Sequence, residues 1–232
     1  PELARPARLP LRFRLDADFV DMFEVRGSRR PARGRLLGPE SSEWGYAFRY
    51  EGLDGVQRTS SVLFSRPPAQ PEPGCMEFVL TLEPGASEEL YTEIGAEQEA
   101  TPARQRYRDE ASEARRHMRR RQRRGARVSS SGPLFDQWMR RSRSDLALLT
   151  SELETGPYPY AGIPWFSTPF GRDAVITAMQ TLWLDPELAK GVLRFLARHQ
   201  AKEESPFLDA APGKIMHETR KGEMSAMKEL PF

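Results

Sequence analysis

Apolar and polar residues alternate along short stretches in the first part of the chain. Leu11 to Leu15 alternates with a period of two, which is typical of a half-buried strand. Turn signals at residues 53–55 and 83–85 separate runs of this kind. We therefore predict that residues 1–97 form an antiparallel β-sandwich without a helix longer than two turns. The predicted strands are 11–15, 19–25, 44–50, 58–64, 76–82 and 89–94.

The pattern changes to helical spacing from Pro133 onward. A first helix is predicted to end at Gly156 and Pro157, and residues 174–182 are so apolar that an inner helix, buried all round, is predicted there. Asp185 and Pro186 begin a third helix, and residues 202–232 are mostly loop. Helices of differing burial in alternation indicate an inner and an outer layer, as in an α/α toroid. The predicted apolar face of the third helix is Leu188, Val192, Phe195 and Leu196.

Residues 98–132 are polar and prone to form a helix, and they contain a run rich in arginine. Such a run could contact nucleic acid phosphates. Acidic residues are interspersed with the arginines before it, however, and Tyr107 is the one aromatic residue nearby. We therefore predict a charged linker helix, solvated or disordered over 115–127, and no nucleic acid partner. The arginines of the run are 115, 116, 119, 120, 121, 123, 124 and 127.

Composition narrows the class of protein. The chain has 232 residues, 38% hydrophobic residues and a net charge of +2, so it is not a general polyanion binder. A single cysteine, Cys75, excludes a disulfide framework within the chain and favours a reducing, cytoplasmic compartment. No apolar run approaches the roughly 20 residues of a membrane span, so no membrane association is expected. The start at Pro1 and the end at Phe232 lead us to expect a fragment.

Residues 156–173 hold four prolines, three glycines and five aromatic residues, directly before an apolar helical pattern. Proline fixes φ and removes a hydrogen-bond donor, so this stretch is predicted to be neither helix nor central strand. An ordered loop dense in aromatic rings is typical of a binding or catalytic surface. An aromatic plug that caps a helical core would have the same composition, and both interpretations stay open on these residues alone.

Five stretches together resemble one family. The sequence IPWFSTPFGRD at 163–173 resembles the signature of bacterial glycogen-debranching-like proteins, the amylo-α-1,6-glucosidase family. The resemblance implies a multi-domain fold, in which an N-terminal antiparallel β-sandwich at 1–97 and a charged linker helix at 98–132 precede the first helices of a truncated (α/α)6 barrel at 133–232. The other matching stretches are 19–27, 50–55, 181–186 and 212–224.

The resemblance also implies a chemistry. Glycosidic cleavage needs a protonated carboxylic acid at the leaving oxygen and a carboxylate opposite. The Gly-Arg-Asp motif of the family supplies the acid, which corresponds to Asp173, although spacing alone would also allow Asp173 to be the N-cap of the following helix. The catalytic base is expected beyond Phe232, so this chain is expected to be inactive. The implied substrate-binding residues are Trp165, Phe166, Arg172, His217 and Glu218.

The sequence predicts the substrate only as a class of compound and leaves two other functions open. The expected partner is an α-glucan or another glucoside, cleaved by an inverting mechanism. No cofactor is expected, and no metal site is predicted because His217 and Glu218 lack helical ligand spacing and a third ligand. Two alternatives stay open: a non-catalytic carbohydrate-binding or scaffold protein, and a related glycosidase that acts on a small glucoside. Tyr160, Trp165 and Phe166 could stack on sugar or pack beneath the loop.

Overall fold

The computed structural model of the protein describes residues 5–72, 74–96 and 101–231. The chain divides into two units between Ala111 and Ser112. Residues 1–4, 73, 97–100 and 232, which include the outer limits of the predicted domains, lie outside the described residues. The predicted domain limits at 97 and 132 stay predictions.

The first unit is built from strands and one helical turn. They are β1 (Ala7–Arg14), α1 (Met22–Val25), β2 (Arg35–Ser42), β3 (Gly45–Glu51), β4 (Gln57–Phe64), β5 (Gln70–Glu72), β6 (Cys75–Leu82) and β7 (Thr92–Gly95). One sheet has the order β1-β6-β5 and the other the order β2-β3-β4-β7. Every neighbouring pair is antiparallel, as the alternating pattern predicts. Strands β2 and β5 were not predicted.

An aromatic core joins the two sheets. The ring of Phe64 on β4 lies 4.8 Å from the ring of Phe78 on β6, measured between centroids. Phe13 on β1 lies 5.1 Å from Phe64 in the same way. Phe64 and Phe78 are fully buried, and Met76 lies in the same cluster. Because these contacts connect strands of both sheets, the arrangement is consistent with a β-sandwich.

The predicted strand at 19–25 is wrong, because α1 forms there instead. Asp21 is the N-cap, and its Oδ1 accepts a hydrogen bond of 2.9 Å from the amide of Phe23. Glu24 completes a capping box by accepting a 3.0 Å hydrogen bond from the amide of Asp21. This reciprocal satisfaction of backbone donors stabilises one helical turn against the strand preference of Val20 and Phe23.

The predicted turn at 53–55 is confirmed and carries a partly buried ion pair. Gly55 adopts a φ of +73°, which favours glycine. Both carboxylate oxygens of Asp54 accept hydrogen bonds from the Arg58 guanidinium, at 2.9 and 2.6 Å. These hydrogen bonds lower the pKa of Asp54 from 3.8 to about 2. The Asp54–Arg58 ion pair therefore stabilises the turn, and its contribution to the free energy of unfolding depends on pH.

The second unit is mainly helical. Its elements are α3 (Pro133–Leu149), β8 (Thr150–Leu153), β9 (Gly156–Pro159), α4 (Gly171–Thr181), α5 (Pro186–Arg198) and α6 (Glu223–Ala226). The core cluster lies between β9, α4 and α5, where Tyr158 packs on Phe195 with ring centroids 4.7 Å apart. The small side chains of Ala174 and Ala178 let α4 approach this cluster. The predicted buried face of α5 is confirmed.

Two predictions for this unit are wrong. The first helix ends at Leu149 and not at Gly156, because the chain turns into the antiparallel hairpin of β8 and β9. Helix α4 is not buried all round, because Met179 on its other face is 71% exposed. An apolar helical pattern does not show which face of the helix a neighbouring element covers, so it overestimates the burial of α4.

Helix α2 (Arg104–Gln122) contains the division between the two units. Its carboxyl end is held within the second unit by Arg143, whose Nη2 donates to the carbonyl oxygens of Gln122 and Arg124 at 2.8 and 3.2 Å. This cation satisfies terminal carbonyls that have no partner inside the helix. The helix of the predicted linker is therefore confirmed up to Gln122. No helix in the described part of the chain is both long and apolar enough to cross a membrane.

We expect Gly191→Ala to destabilise the second unit. A Cβ atom at this position would lie 2.1 Å from the carbonyl oxygen of Pro157, so α5 and β9 would have to separate. Steric strain of this kind typically costs about 1–3 kcal/mol. Urea unfolding monitored by far-UV circular dichroism will measure the loss. The control is Gly162→Ala, where the nearest atom would lie at an ordinary 3.6 Å; equal stability of the two variants would contradict the prediction.

We expect the Asp54–Arg58 pair to stabilise the first unit above about pH 4 and not below about pH 2. The pKa of Asp54 is lowered on folding, so its contribution is present above the unfolded value of 3.8 and is lost as the pH falls towards 2. Asp54→Asn should lower the free energy of unfolding by about 1–2 kcal/mol at pH 7 and by much less at pH 2. Urea unfolding across this range checks it, with the exposed Glu40→Gln as control. A pH-independent difference would refute it.

Candidate functional site

The site is centred on an aromatic loop, residues 160–170, that connects β9 to α4. This loop pairs with a segment of residues 215–220, here called the His217 segment. The amide of Gly171 donates to the carbonyl oxygen of His217 at 2.9 Å, and the amide of Thr219 donates to Pro169 at 3.1 Å. Phe170 and Glu218 form an antiparallel bridge between these bonds. Two segments that are remote in sequence are thereby fixed side by side at the start of α4.

Gly171 permits this close approach. A Cβ atom on Gly171 would lie 2.4 Å from the carbonyl oxygen of Met216, a distance that a real side chain cannot occupy. The side chain of Thr168 adds a hydrogen bond to the carbonyl oxygen of Thr219. The glycine of the Gly-Arg-Asp motif therefore has a packing role, which its sequence alone does not show.

Asp173 is the third residue of α4, whose N-cap is Phe170. The interpretation of Asp173 as the N-cap is therefore wrong, because the helix begins three residues earlier than an N-cap at Asp173 would require. Its carboxylate lies in the first turn, where the helix dipole favours negative charge. Asp173 is partly buried and Arg172, its neighbour, is exposed. The N-cap residue Phe170 forms no side-chain capping hydrogen bond, so the amino end of α4 is not capped in the way that the sequence would allow with Asp173.

Tyr158 lies beneath this turn. Its hydroxyl donates a 2.8 Å hydrogen bond to the carbonyl oxygen of Phe170, the N-cap residue of α4. Burial raises the pKa of Tyr158 well above its ordinary value, and electrostatic interaction with Tyr160 and Asp173 adds to this effect. Tyr158 therefore stays neutral and donates at physiological pH.

Glu218 is held by Arg220. Glu218 is 8% exposed, and its Oε2 accepts a 2.6 Å hydrogen bond from Nε of Arg220. Arg220 also donates from Nη2 to the carbonyl oxygen of Trp165 at 3.0 Å. Its guanidinium lies 5.6 Å from the ring centroid of Phe170. Arg220 therefore connects the His217 segment to the aromatic loop, a role that only the tertiary structure shows. The predicted contact of Glu218 with sugar stays a prediction.

A cavity of about 500 Å³ lies beside α4. Arg172 and His217 both line it, so the structure brings these two predicted residues together. Asp173, Trp165, Phe166 and Glu218 do not line it among the described residues. Sequence reasoning assigned no role to the rest of the lining, which includes the Lys214–Asp209 ion pair at 2.7 Å. The apolar part of its wall includes Val175, Ile176, Phe207, Leu208, Ile215 and Met216.

Of the three predicted stacking residues, Trp165 and Phe166 are accessible, whereas Tyr160 is partly buried and packs against the core cluster of the second unit. Trp165 is 37% exposed and Phe166 is 42% exposed, whereas Tyr158 and Phe170 of the same region are buried. Phe170 contacts Phe166 and His217 edge to face, with centroids 5.8 and 5.7 Å apart. The aromatic loop thus fits both interpretations of the sequence, the core cap and the binding surface. One part of it packs against the core, and another part exposes its rings to solvent. No group of three potential metal ligands occurs within 5–72, 74–96 and 101–231.

Comparison with known families identifies one part of the chain. Residues 3–93 match the family model for the N-terminal domain of (some) glycogen debranching enzymes. This match confirms the resemblance over the sheet-rich first unit, and it does not extend to the candidate site. No curated protein matches the chain. The candidate site therefore has to be interpreted from its own residues.

We expect Arg220→Met to destabilise the second unit by about 3–5 kcal/mol, because it leaves the buried carboxylate of Glu218 without its cation. It should also expose the aromatic loop to proteolysis. Urea unfolding and limited proteolysis measure both effects. The matched control is Arg198→Met, whose pair with Glu154 is largely exposed and should contribute no more than about 1 kcal/mol. Similar losses in both variants would show that Arg220 does not hold the loop.

Proposed function

We propose that the chain is part of a glycoside hydrolase of the glycogen debranching type, which hydrolyses α-1,6-glucosidic bonds of an α-glucan. The match of residues 3–93 to the N-terminal domain of such enzymes carries this proposal. The helical unit that follows supports it, since the resemblance implies that a barrel of helices comes after the sandwich. In this proposal the second unit is the beginning of an (α/α)6 barrel.

Asp173 is the proposed general acid. It donates its proton to the glycosidic oxygen as the bond to the anomeric carbon breaks, while a second carboxylate takes a proton from the attacking water. Inversion requires the two carboxylates to lie roughly 6.5–9.5 Å apart, so that the water fits between them. We place the second carboxylate in a part of the parent protein beyond Phe232.

The other candidate residues bind and orient the sugar in this proposal. Arg172 and His217 share the wall of the cavity and can donate hydrogen bonds to sugar hydroxyls. Trp165 and Phe166 present exposed faces on which a pyranose ring can stack. The ion pair of Glu218 and Arg220 holds the backbone of Trp165 and so positions this platform.

Exposed apolar side chains support the presence of further helices in the parent protein. Leu134 and Trp138 on α3 and Ile176 and Met179 on α4 are exposed, although large apolar side chains are usually covered. Additional barrel helices would bury them. This observation favours an incomplete catalytic domain over a self-contained carbohydrate-binding module.

We expect Asp173→Asn, made in the complete parent protein, to lower kcat on an α-1,6-linked glucan by about 10² to 10⁴-fold, because the amide cannot donate the required proton. Glucan binding and thermal stability should stay close to wild type, because asparagine has nearly the shape of aspartate and because Phe170, not Asp173, is the N-cap of α4. Initial-rate kinetics and affinity electrophoresis in glycogen gels measure these effects. The matched control is Asp145→Asn, which removes the same charge at a half-exposed position on α3 that does not line the cavity.

The outcomes separate the candidate functions. Near-normal hydrolysis by the Asp173→Asn variant would refute the assignment of the acid. Glucan binding without hydrolysis by the unmodified parent would indicate a carbohydrate-binding or scaffold protein. Hydrolysis restricted to small glucosides would indicate the related glycosidase. The chain of 232 residues alone should not hydrolyse the substrate, because the second carboxylate is assigned to a different part of the parent.

A further inference from the structure

A groove of about 910 Å³ in the second unit is lined mainly by arginine. It lies between the carboxyl half of α2, the hairpin of β8 and β9 and the start of α5. We call it the arginine groove. Its first wall, here called the α2 wall, lies on α2 and the turn that follows it and consists of Arg116, His117, Arg119, Arg120, Arg121, Arg123 and Arg124. Its opposite wall consists of Glu152, Pro157 and Glu187.

The acidic residues of the groove are already engaged. Glu152 pairs with Arg124 at 3.0 Å, and Arg124 also pairs with the buried Asp185 at 2.5 Å. Glu187 pairs with Lys190 at 2.6 Å, and this hydrogen bond is the main cause that lowers the pKa of Glu187. These two carboxylates therefore do not neutralise the remaining arginines of the α2 wall.

Most of the arginines have no acidic partner. In the described part of the chain, Arg116, Arg119, Arg120 and Arg123 form no ion pair within 4.0 Å. The Nε of Arg121 is buried and has no hydrogen-bond partner among the described residues. Several guanidinium groups that face one groove repel one another, which costs free energy unless an anion binds between them.

The positions of the arginines match a compact anion. Arg116, Arg119 or Arg120, and Arg123 recur at i, i+3 or i+4, and i+7. They share one face, because the amide of Arg123, just after α2, still donates to the carbonyl oxygen of Arg119 at 3.0 Å. At about 1.5 Å per residue this face spans roughly 10 Å. Arginine binds phosphate through two parallel N–H donors, so a short row of arginines can bind adjacent phosphate groups.

The carboxyl end of α2 does not require these arginines as helix caps. Arg143 already donates to the carbonyl oxygens of Gln122 and Arg124. Gln122 donates from its side chain to the hydroxyl of Ser144 at 3.1 Å. The helix end is thus anchored by groups outside the row, so the row is presented on a fixed support.

We propose that the arginine groove binds a compact ligand that carries two or more linked phosphate groups. The opposite wall argues against a long polyanion, because the carboxylates of Glu152 and Glu187 would repel a nucleic acid strand that crosses the groove. A compact ligand on the row of Arg116, Arg119 or Arg120, and Arg123 does not have to cross the groove. This site is separate from the candidate glycosidase site and does not depend on the proposed hydrolysis.

Inorganic triphosphate is the probe for the test. Isothermal titration calorimetry of the 232-residue chain at 50 mM salt should show binding that weakens as salt is added. Inorganic monophosphate at the same concentration should bind at least tenfold more weakly, because it can engage fewer arginines at once. The triple variant Arg116→Gln, Arg119→Gln, Arg123→Gln should weaken triphosphate binding at least tenfold.

A matched control removes the same charge elsewhere. The triple variant Arg115→Gln, Arg127→Gln, Arg140→Gln alters exposed arginines that do not line the groove, and it should bind triphosphate within about twofold of wild type. Circular dichroism establishes that both variants stay folded. Equal weakening in the two variants, no triphosphate binding by wild type, or tighter binding of a 12-nucleotide single strand than of triphosphate would each overturn the proposal.

Discussion

The candidate site depends on the backbone-to-backbone contact between Gly171 and Met216. This contact lets the amide of Gly171 reach the carbonyl oxygen of His217 and brings the first turn of α4 beside the His217 segment. Every other feature of the site follows from it. Arg220 can reach Trp165, and Arg172 and His217 can share one cavity, only because the two segments lie side by side. A side chain larger than hydrogen at position 171 would separate them.

Local periodicity predicted the elements that have one clearly apolar face. Strands β3, β4 and β6 and helix α5 formed where alternation or helical spacing indicated them. Helix α1 was missed because the capping box of Asp21 and Glu24 was interpreted as part of a strand. Strand β2 was missed because Gly38 and Pro39 interrupt it at an irregularity in its pairing with β3. These errors arise where a few backbone hydrogen bonds outweigh side-chain pattern.

The candidate site was only partly predictable. The motif around Asp173 and the stretch around His217 were identified from sequence, and the structure places both segments together. Arg220 and Tyr158 were not assigned roles, because their contributions come from contacts with Trp165 and Phe170, which are visible only in three dimensions. The burial of α4 on one face only was not predictable either, because it also depends on which neighbouring elements pack against the helix. A sequence pattern indicates what a residue can do, whereas the neighbours decide which of its groups remain available.

The double attachment of the aromatic loop has a consequence for protein engineering. Backbone hydrogen bonds and the Arg220 guanidinium hold residues 160–170 to residues 215–220, so the two stretches behave as one transplantable module. Exchange of the aromatic loop alone for that of another protein would remove half of a matched pair. A graft intended to alter specificity must therefore carry both stretches, together with a glycine at the start of α4.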